Sequence, residues 1–231
     1  MSQDAQRGAV SMVAAKIGYI ALALLSVMVA VYSLRFAAVP WDIWLSVGPE
    51  IRSVIERVPL QALAHMIAAP IALFVGPFQF LASIRARKPA LHRWLGRVYV
   101  AACLTAGVAA LATAPFASGG PIAGLGFGIL AAAWIAATGG AWIAATKRNF
   151  TLHRRLMRYS FAMTFAAVTL RLQIPIGVIY FGFPDYATLS VWLAYTSWIP
   201  NVIAVWLYET WFAPHVRGRA VAGPVNGPWI P

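Results

Sequence analysis

Acidic residues are scarce in this sequence, with 6 Asp and Glu against 18 Lys and Arg among 231 residues. Charged residues of both signs make up only 10% of the chain, whereas hydrophobic residues make up 61%. A soluble domain carries about a quarter of its residues charged, so this composition excludes an ordinary soluble protein. The net charge of +12 lies in short clusters between apolar runs. Such clusters are typical of membrane topology signals and lipid contacts, and they argue against nucleic acid as a partner.

Cysteine is nearly absent as well. The single cysteine, Cys103, excludes an internal disulfide and a cysteine-based zinc or iron–sulfur site. The sequence also lacks a Gly-rich phosphate loop, paired carboxylates and a nucleophile elbow, so it predicts no active site of a soluble-enzyme type. Whether the protein is an enzyme stays open. The lack of a carboxylate within the apolar runs argues against proton-driven transport.

Six apolar runs are long enough to cross a bilayer, which takes about 20 residues each. They predict an all-α polytopic membrane protein with six transmembrane helices, near residues 17–38, 60–83, 95–114, 121–146, 157–180 and 187–208. The segments on one side of these helices hold 14 basic residues and those on the other side hold 3. This asymmetry predicts that both termini are cytoplasmic. Between the first two runs, residues 41–58 have the pattern of a short amphipathic helix on the outer surface, and a lid over an outward-facing site is the alternative.

A short motif occurs twice. Residues 91–97 (LHRWLGR) and 152–158 (LHRRLMR) share Leu, His, Arg, Leu and Arg at a constant offset of 61. The repetition predicts a central four-helix bundle made of two repeated hairpins. The domains expected are a first helix with an outer amphipathic segment (1–59), the duplicated core (60–180), a sixth helix (181–213) and a disordered tail (214–231).

The two repeated histidines, His92 and His153, stand at equivalent places in the two hairpins. Two imidazoles that face each other across a bundle ligate the iron of a b-type heme, so these residues are candidate metal ligands. Four arginines would then neutralise the propionates: Arg93, Arg97, Arg154 and Arg158. The alternative is that each His-Arg pair contacts lipid phosphates at the entry of its helix.

Four further polar residues stand out within the apolar runs, where each needs a partner or a purpose: His65, Gln79, Arg171 and Asn201. His65 and Arg171 fall in the outer half, where they would bind a heme propionate or a quinone carbonyl, or else bond to the backbone of neighbouring helices. No acidic residue of the runs is available to pair with Arg171. Gln79 follows Gly76 and Pro77, and it would relieve the backbone at a proline kink or join two helices.

These residues together resemble a bacterial family of predicted membrane proteins catalogued as domain of unknown function 2306. The likeness covers about residues 60–205. It is carried by His65, the GPFQ run at 76–79, the first repeat extended to Tyr99, the second repeat, the VTLR run at 168–171, and Trp198 with Pro200 and Asn201. The resemblance implies a bacterial inner membrane location but implies no activity. It marks His65, Gln79, His92, Arg93, Arg97, His153, Arg158 and Arg171 for inspection.

The favoured hypothesis is a redox-associated membrane protein that holds a b-type heme or a quinone within the helix bundle, with His65 and Arg171 shaping an outer cavity. An accessory subunit of a larger membrane complex, with arginines holding lipid, is the alternative. A small-molecule permease is the third interpretation. The partners expected are membrane lipid and, for the second hypothesis, other membrane-protein subunits.

Overall fold

The computed structural model describes residues 3–35 and 54–212, and it describes side chains within 13–35 and 54–211. All regular structure in these ranges is helical. The helices are α1 (Gln3–Leu34), α2 (Pro59–Val75), α3 (Ala82–Arg87), α4 (Pro89–Thr113), α5 (Gly120–Thr146), α6 (Phe150–Thr164), α7 (Ala166–Tyr180), α8 (Tyr186–Thr196) and α9 (Ile199–Leu207). Two 3₁₀ turns, Pro77–Phe80 and Ala114–Phe116, follow α2 and α4, and a π-helical turn, Tyr208–Phe212, follows α9.

Six spans within the described ranges are long and apolar enough to cross a membrane, which confirms the predicted fold class. They are Val13–Leu34, Pro59–Phe80, Pro89–Phe116, Gly120–Thr146, Phe150–Tyr180 and Tyr186–Trp211. The third and fifth spans begin earlier than predicted, because the basic His-Arg segments are themselves helical. Asn149 caps the fifth span, since its side chain accepts a hydrogen bond of 3.1 Å from the backbone N–H of Leu152. Pro89 starts the third, where the missing N–H of proline costs no helical hydrogen bond.

The central helices pack in the order α2, α4, α5 and α6, each against the next. The helices α2 and α4 begin 61 residues before α5 and α6 respectively, which is the offset of the sequence motif. The interfaces use small residues, and Ala72, Cys103, Ala106 and Ala141 are fully buried. Small side chains allow the close helix approach on which packing in lipid depends. Outside this core, α1 packs on α2, α8 on α5, and α9 on α6.

Three spans are interrupted, and at the break in the second span other parts of the chain approach closely. In the second span, a Cβ on Gly76 would overlap the Phe161 ring of α6, so any larger residue there requires that ring to move. The Pro77 carbonyl that follows accepts a hydrogen bond of 2.7 Å from the Tyr19 hydroxyl of α1. The fifth span is interrupted at Phe165, between α6 and α7. The sixth is interrupted between Thr196 and Ile199, just before Pro200, which has no backbone N–H to continue the helical hydrogen bonds.

The two ends of the bundle differ in charge. The segments 81–88 and 147–149 lie at one end, called here the basic end, and the segments 117–119 and 181–185 lie at the opposite end. Which end faces the cytoplasm stays a prediction, as does the division into domains. Most of the predicted amphipathic segment, and the tail from 214, lie outside the described residues; residues 54–57 are helical.

Candidate functional site

A cavity of about 390 Å³ opens at the end opposite the basic end, between α2, α4, α5, α6, α7 and α8. Most of its lining is apolar. Its polar lining includes His65, Trp134, Thr164, Arg171, Tyr186 and Ser197. The cavity therefore joins His65 and Arg171, the two residues that the sequence placed in the outer half of the bundle. It contains none of the candidate residues of the basic end.

The His65 imidazole has one nitrogen committed to the fold. Its Nδ1 lies 2.9 Å from the carbonyl oxygen of Ala106 on α4. A carbonyl oxygen only accepts, so Nδ1 must carry the proton and donate. This bond joins α2 to α4 and fixes the orientation of the ring. The Nε2 atom makes no hydrogen bond to any residue within the described ranges, and the ring lines the cavity.

The Arg171 guanidinium is held by two neighbours. One Nη donates to the Ala167 carbonyl oxygen at 2.9 Å and the other donates to Ser33 Oγ on α1 at 3.0 Å. Neither partner carries a negative charge, and Arg171 makes no salt bridge within the part of the chain described. Five N–H groups are present on a guanidinium. Arg171 therefore keeps donors and an unneutralised positive charge at the cavity wall.

Beneath the cavity lies a buried cluster of hydroxyl and indole groups on α4, α5 and α6, which we call the polar floor. The Tyr99 hydroxyl lies 2.9 Å from Ser160 Oγ and 2.9 Å from Thr164 Oγ1. Trp134 Nε1 donates to Thr164 Oγ1 at 3.0 Å, and Thr138 Oγ1 lies 2.7 Å from Ser160 Oγ. Tyr99, Thr138 and Ser160 are fully buried. The floor closes the inner end of the cavity with polar groups that bond to one another.

Sequence reasoning missed the polar floor, because single hydroxyl and indole side chains are common in membrane helices. None of the five residues that form the floor stands out in the sequence. One signal was available. Tyr99 and Ser160 are separated by 61 residues, the offset of the repeat, and they contact each other. Residues at equivalent positions of two repeats meet where the repeats face each other. The motif therefore pointed to this contact, although not to its polar character.

The basic end holds His92, His153 and Gln79. His153 Nδ1 donates to the Ala141 carbonyl oxygen at 2.9 Å, which leaves Nε2 for another partner. His92 and His153 are close enough to interact electrostatically. The buried atoms His92 Nδ1 and Gln79 Nε2 have no hydrogen-bond partner within the described residues. Gln79 lies against Gly96, one helical turn beyond His92.

The four arginines predicted to neutralise propionates differ in environment. Arg158 forms a salt bridge to Glu209 in the π-helical turn, and its guanidinium carbon lies 5.6 Å from the centre of the Tyr208 ring. This pair ties the end of the sixth span to α6. Arg93, Arg97 and Arg154 are exposed on the surface of the bundle. The Arg158 charge already has a carboxylate partner, so a heme propionate would have to compete with Glu209.

Within the described ranges, no three His, Cys, Asp or Glu residues come close enough to hold a metal ion. A b-type heme requires only two protein ligands, so that finding does not bear on His92 and His153. Their role as heme ligands stays a prediction.

The fold and the apolar spans define an α-helical, polytopic integral membrane protein. The sequence model of a family described as a predicted membrane protein (DUF2306) matches residues 62–209. This match extends over more than half of the chain, and the protein belongs to that family. No curated protein and no solved structure matches the chain. The matched range contains every candidate residue that the sequence predicted, and the family description adds no ligand or activity.

Proposed function

We propose that this protein binds a quinone-class molecule in the cavity formed by His65, Arg171 and the polar floor. The observation that carries the proposal is a mostly apolar cavity, open at one end, with an unneutralised guanidinium on its wall. A quinone matches this arrangement, because it has an apolar ring and tail and two carbonyl oxygens that accept hydrogen bonds.

The size of the cavity agrees with this proposal. Small-molecule sites are typically about 300–1,000 Å³, and they combine an apolar lining with a few polar groups that fix orientation. The volume of about 390 Å³ is at the lower end of that range. It suits a single substituted ring with part of its tail. Ser197 adds a further polar group, because this buried lining residue has a hydroxyl without a partner among the described residues.

The polar floor favours binding over permeation. A permease needs a path that continues to the other side of the membrane. Below the cavity, Tyr99, Cys103 and Ala106 are fully buried and the floor hydroxyls bond to one another. These contacts support a site that is entered and left from one end.

A b-type heme at the basic end is the second candidate. One observation favours it, the hydrogen bond from His153 Nδ1 to the Ala141 carbonyl oxygen. Histidines that ligate metals commonly donate their other ring N–H to a carbonyl oxygen, which orients Nε2 toward the metal. The exposed arginines and the Arg158 salt bridge count against it.

Purification in nanodiscs, extraction of bound lipids and mass spectrometry would identify a native quinone. Duroquinone, a water-soluble tetramethyl benzoquinone, then serves as the probe in equilibrium binding. Ala69→Phe would fill the cavity, because Ala69 lines it. Ala132→Phe is the matched control, since Ala132 is exposed on the outside of α5. We expect the first variant to lose binding by at least tenfold and the second to bind as the wild type does.

Equal binding by the Ala69→Phe and Ala132→Phe proteins would contradict the proposal. Arg154→Gln, an exposed-site control, should leave binding unchanged. An Arg171→Gln protein that binds as well as this control would also contradict the proposal. An absorption spectrum of the same preparation tests the heme. A Soret band that His92→Ala removes supports it. A colourless protein that binds no quinone and co-purifies with other membrane proteins would favour the accessory-subunit alternative.

A further inference from the structure

The hydrogen-bonding groups of the cavity wall differ in kind, and they specify more than a general quinone site. Arg171 has only donors. His65 uses its Nδ1–H on the Ala106 carbonyl oxygen at 2.9 Å. A neutral imidazole with a protonated Nδ1 has a lone pair on Nε2, which accepts a hydrogen bond and donates none.

The neutral form of His65 follows from its surroundings. The ring is in an apolar part of the bundle, and the positive charge of Arg171 acts on it. No carboxylate within the described ranges pairs with either group. A second positive charge here would lack compensation in a medium of low dielectric constant. Nε2 therefore faces the cavity as an acceptor.

We propose that the cavity recognises a ligand with both a hydroxyl donor and an oxygen acceptor on one ring, the reduced quinol in preference to the oxidised quinone. This inference rests on the proposed function and specifies its substrate form. A quinol O–H donates to His65 Nε2, and the other quinol oxygen accepts from Arg171. A quinone offers only acceptors, so its oxygen would face the His65 lone pair with no proton between them.

The expected preference follows from the lost hydrogen bond. A site built to bond a hydroxyl discriminates against an analogue without one, because the buried acceptor is left unpaired. We expect duroquinol to bind about tenfold more tightly than duroquinone, a difference of about 1.4 kcal/mol. The dimethyl ether of duroquinol has the oxygens of the quinol without the protons. It should bind as weakly as the quinone.

The experiment measures anaerobic binding of these three probes to the full-length protein in nanodiscs. For the wild type we expect duroquinol to bind best. His65→Phe should reduce the quinol affinity to that of the quinone while leaving the quinone affinity within about threefold. His65→Gln keeps an amide oxygen as an acceptor and should retain part of the preference. Arg171→Gln should weaken both redox forms by a similar factor.

The outcomes separate the two proposals. Equal binding of duroquinol, duroquinone and the ether by the wild type would overturn the quinol preference and leave the quinone site standing. A preference that persists in His65→Phe would also overturn it. No binding of any probe would overturn both proposals. The wild-type comparison needs no variant, so it decides the question even when a substitution prevents folding.

Discussion

Removal of the Tyr99 hydroxyl tests whether the polar floor stabilises the bundle. Tyr99 is fully buried, and its hydroxyl makes two hydrogen bonds, to Ser160 and Thr164 on α6. The substitution Tyr99→Phe removes both bonds and keeps the ring. Side-chain hydrogen bonds between membrane helices contribute on average about 0.6 kcal/mol each, so we expect a loss of about 1.2 kcal/mol in the free energy of unfolding.

The loss should stay near this value, because the remaining hydroxyls keep other partners. Thr164 still accepts from Trp134 Nε1 at 3.0 Å, and Ser160 still contacts Thr138 at 2.7 Å. Neither is left as a buried group with no partner, which would cost about 1–3 kcal/mol more.

The assay is reversible unfolding in mixed micelles, followed by far-ultraviolet circular dichroism as the fraction of denaturing detergent rises. Tyr159→Phe is the matched control, since Tyr159 is only partly buried and makes no side-chain hydrogen bond within the described ranges. We expect this control to change stability by less than about 0.5 kcal/mol. A double-mutant cycle of Tyr99→Phe with Ser160→Ala should give a coupling energy of about 0.6 kcal/mol. Equal effects of the two tyrosine substitutions, or zero coupling, would refute the reasoning.

Three other predictions concern the rest of the bundle. Glu209→Gln leaves Arg158 without its carboxylate, so we expect a loss of about 2 kcal/mol in the same assay, partly restored when the two residues are exchanged. Gly76→Ala places a Cβ that overlaps the Phe161 ring and should destabilise the protein by about 1–3 kcal/mol. Gly139→Ala, which meets nothing within 4 Å, should be neutral or stabilising. Asp185 caps α8 by accepting from the Thr188 N–H at 2.7 Å, and this bond holds the pKa of its carboxyl below the ordinary value of 3.8. The contribution of this capping bond to the stability of α8 is complete above the ordinary pKa and is lost as the pH falls through the lowered pKa. Hydrogen exchange of the Thr188 amide measures this loss.

Each of these predictions has a distinct contradictory outcome. A charge-exchanged Arg158→Glu, Glu209→Arg protein no more stable than Glu209→Gln would show that the pair has no net attraction. Similar stabilities of the Gly76→Ala and Gly139→Ala proteins would show that the close approach to α6 is relaxed at little cost. Asp185→Asn keeps a capping oxygen that does not titrate. If its Thr188 amide still loses protection at low pH relative to intrinsic exchange, the carboxyl is not the cause.

The six spans were predictable because they depend on local composition. Each helix in lipid satisfies its own backbone hydrogen bonds, so a long apolar run is enough to predict it. The starts of the third and fifth spans were predicted too late. Their first turns carry basic residues, such as Arg93 and Arg154, that reduce local hydropathy without preventing a helix, and the N-cap at Asn149 was the signal that was overlooked.

The candidate residues were partly predictable for a similar reason. His65 and Arg171 attracted notice because polar groups within an apolar run are expensive. That the two would line one cavity was expected from their similar depth in the apolar runs. Which other groups complete the wall was not predictable, since α2 and α7 are far apart in the sequence and meet only through the packing of the bundle. The salt bridge between Arg158 and Glu209 was missed because it joins residues 51 positions apart.

The sequence by itself determined the class of protein, the number of spans and the repeat, since all three follow from apolar length and from a motif repeated along the chain. Tertiary structure alone decided which polar groups meet. It paired Arg158 with Glu209, gathered Tyr99, Ser160 and Thr164 into the polar floor, and left His65 Nε2 and Arg171 at an apolar cavity. The physical reason is that a hydrogen bond depends on the position and direction of two atoms, and helix packing sets both.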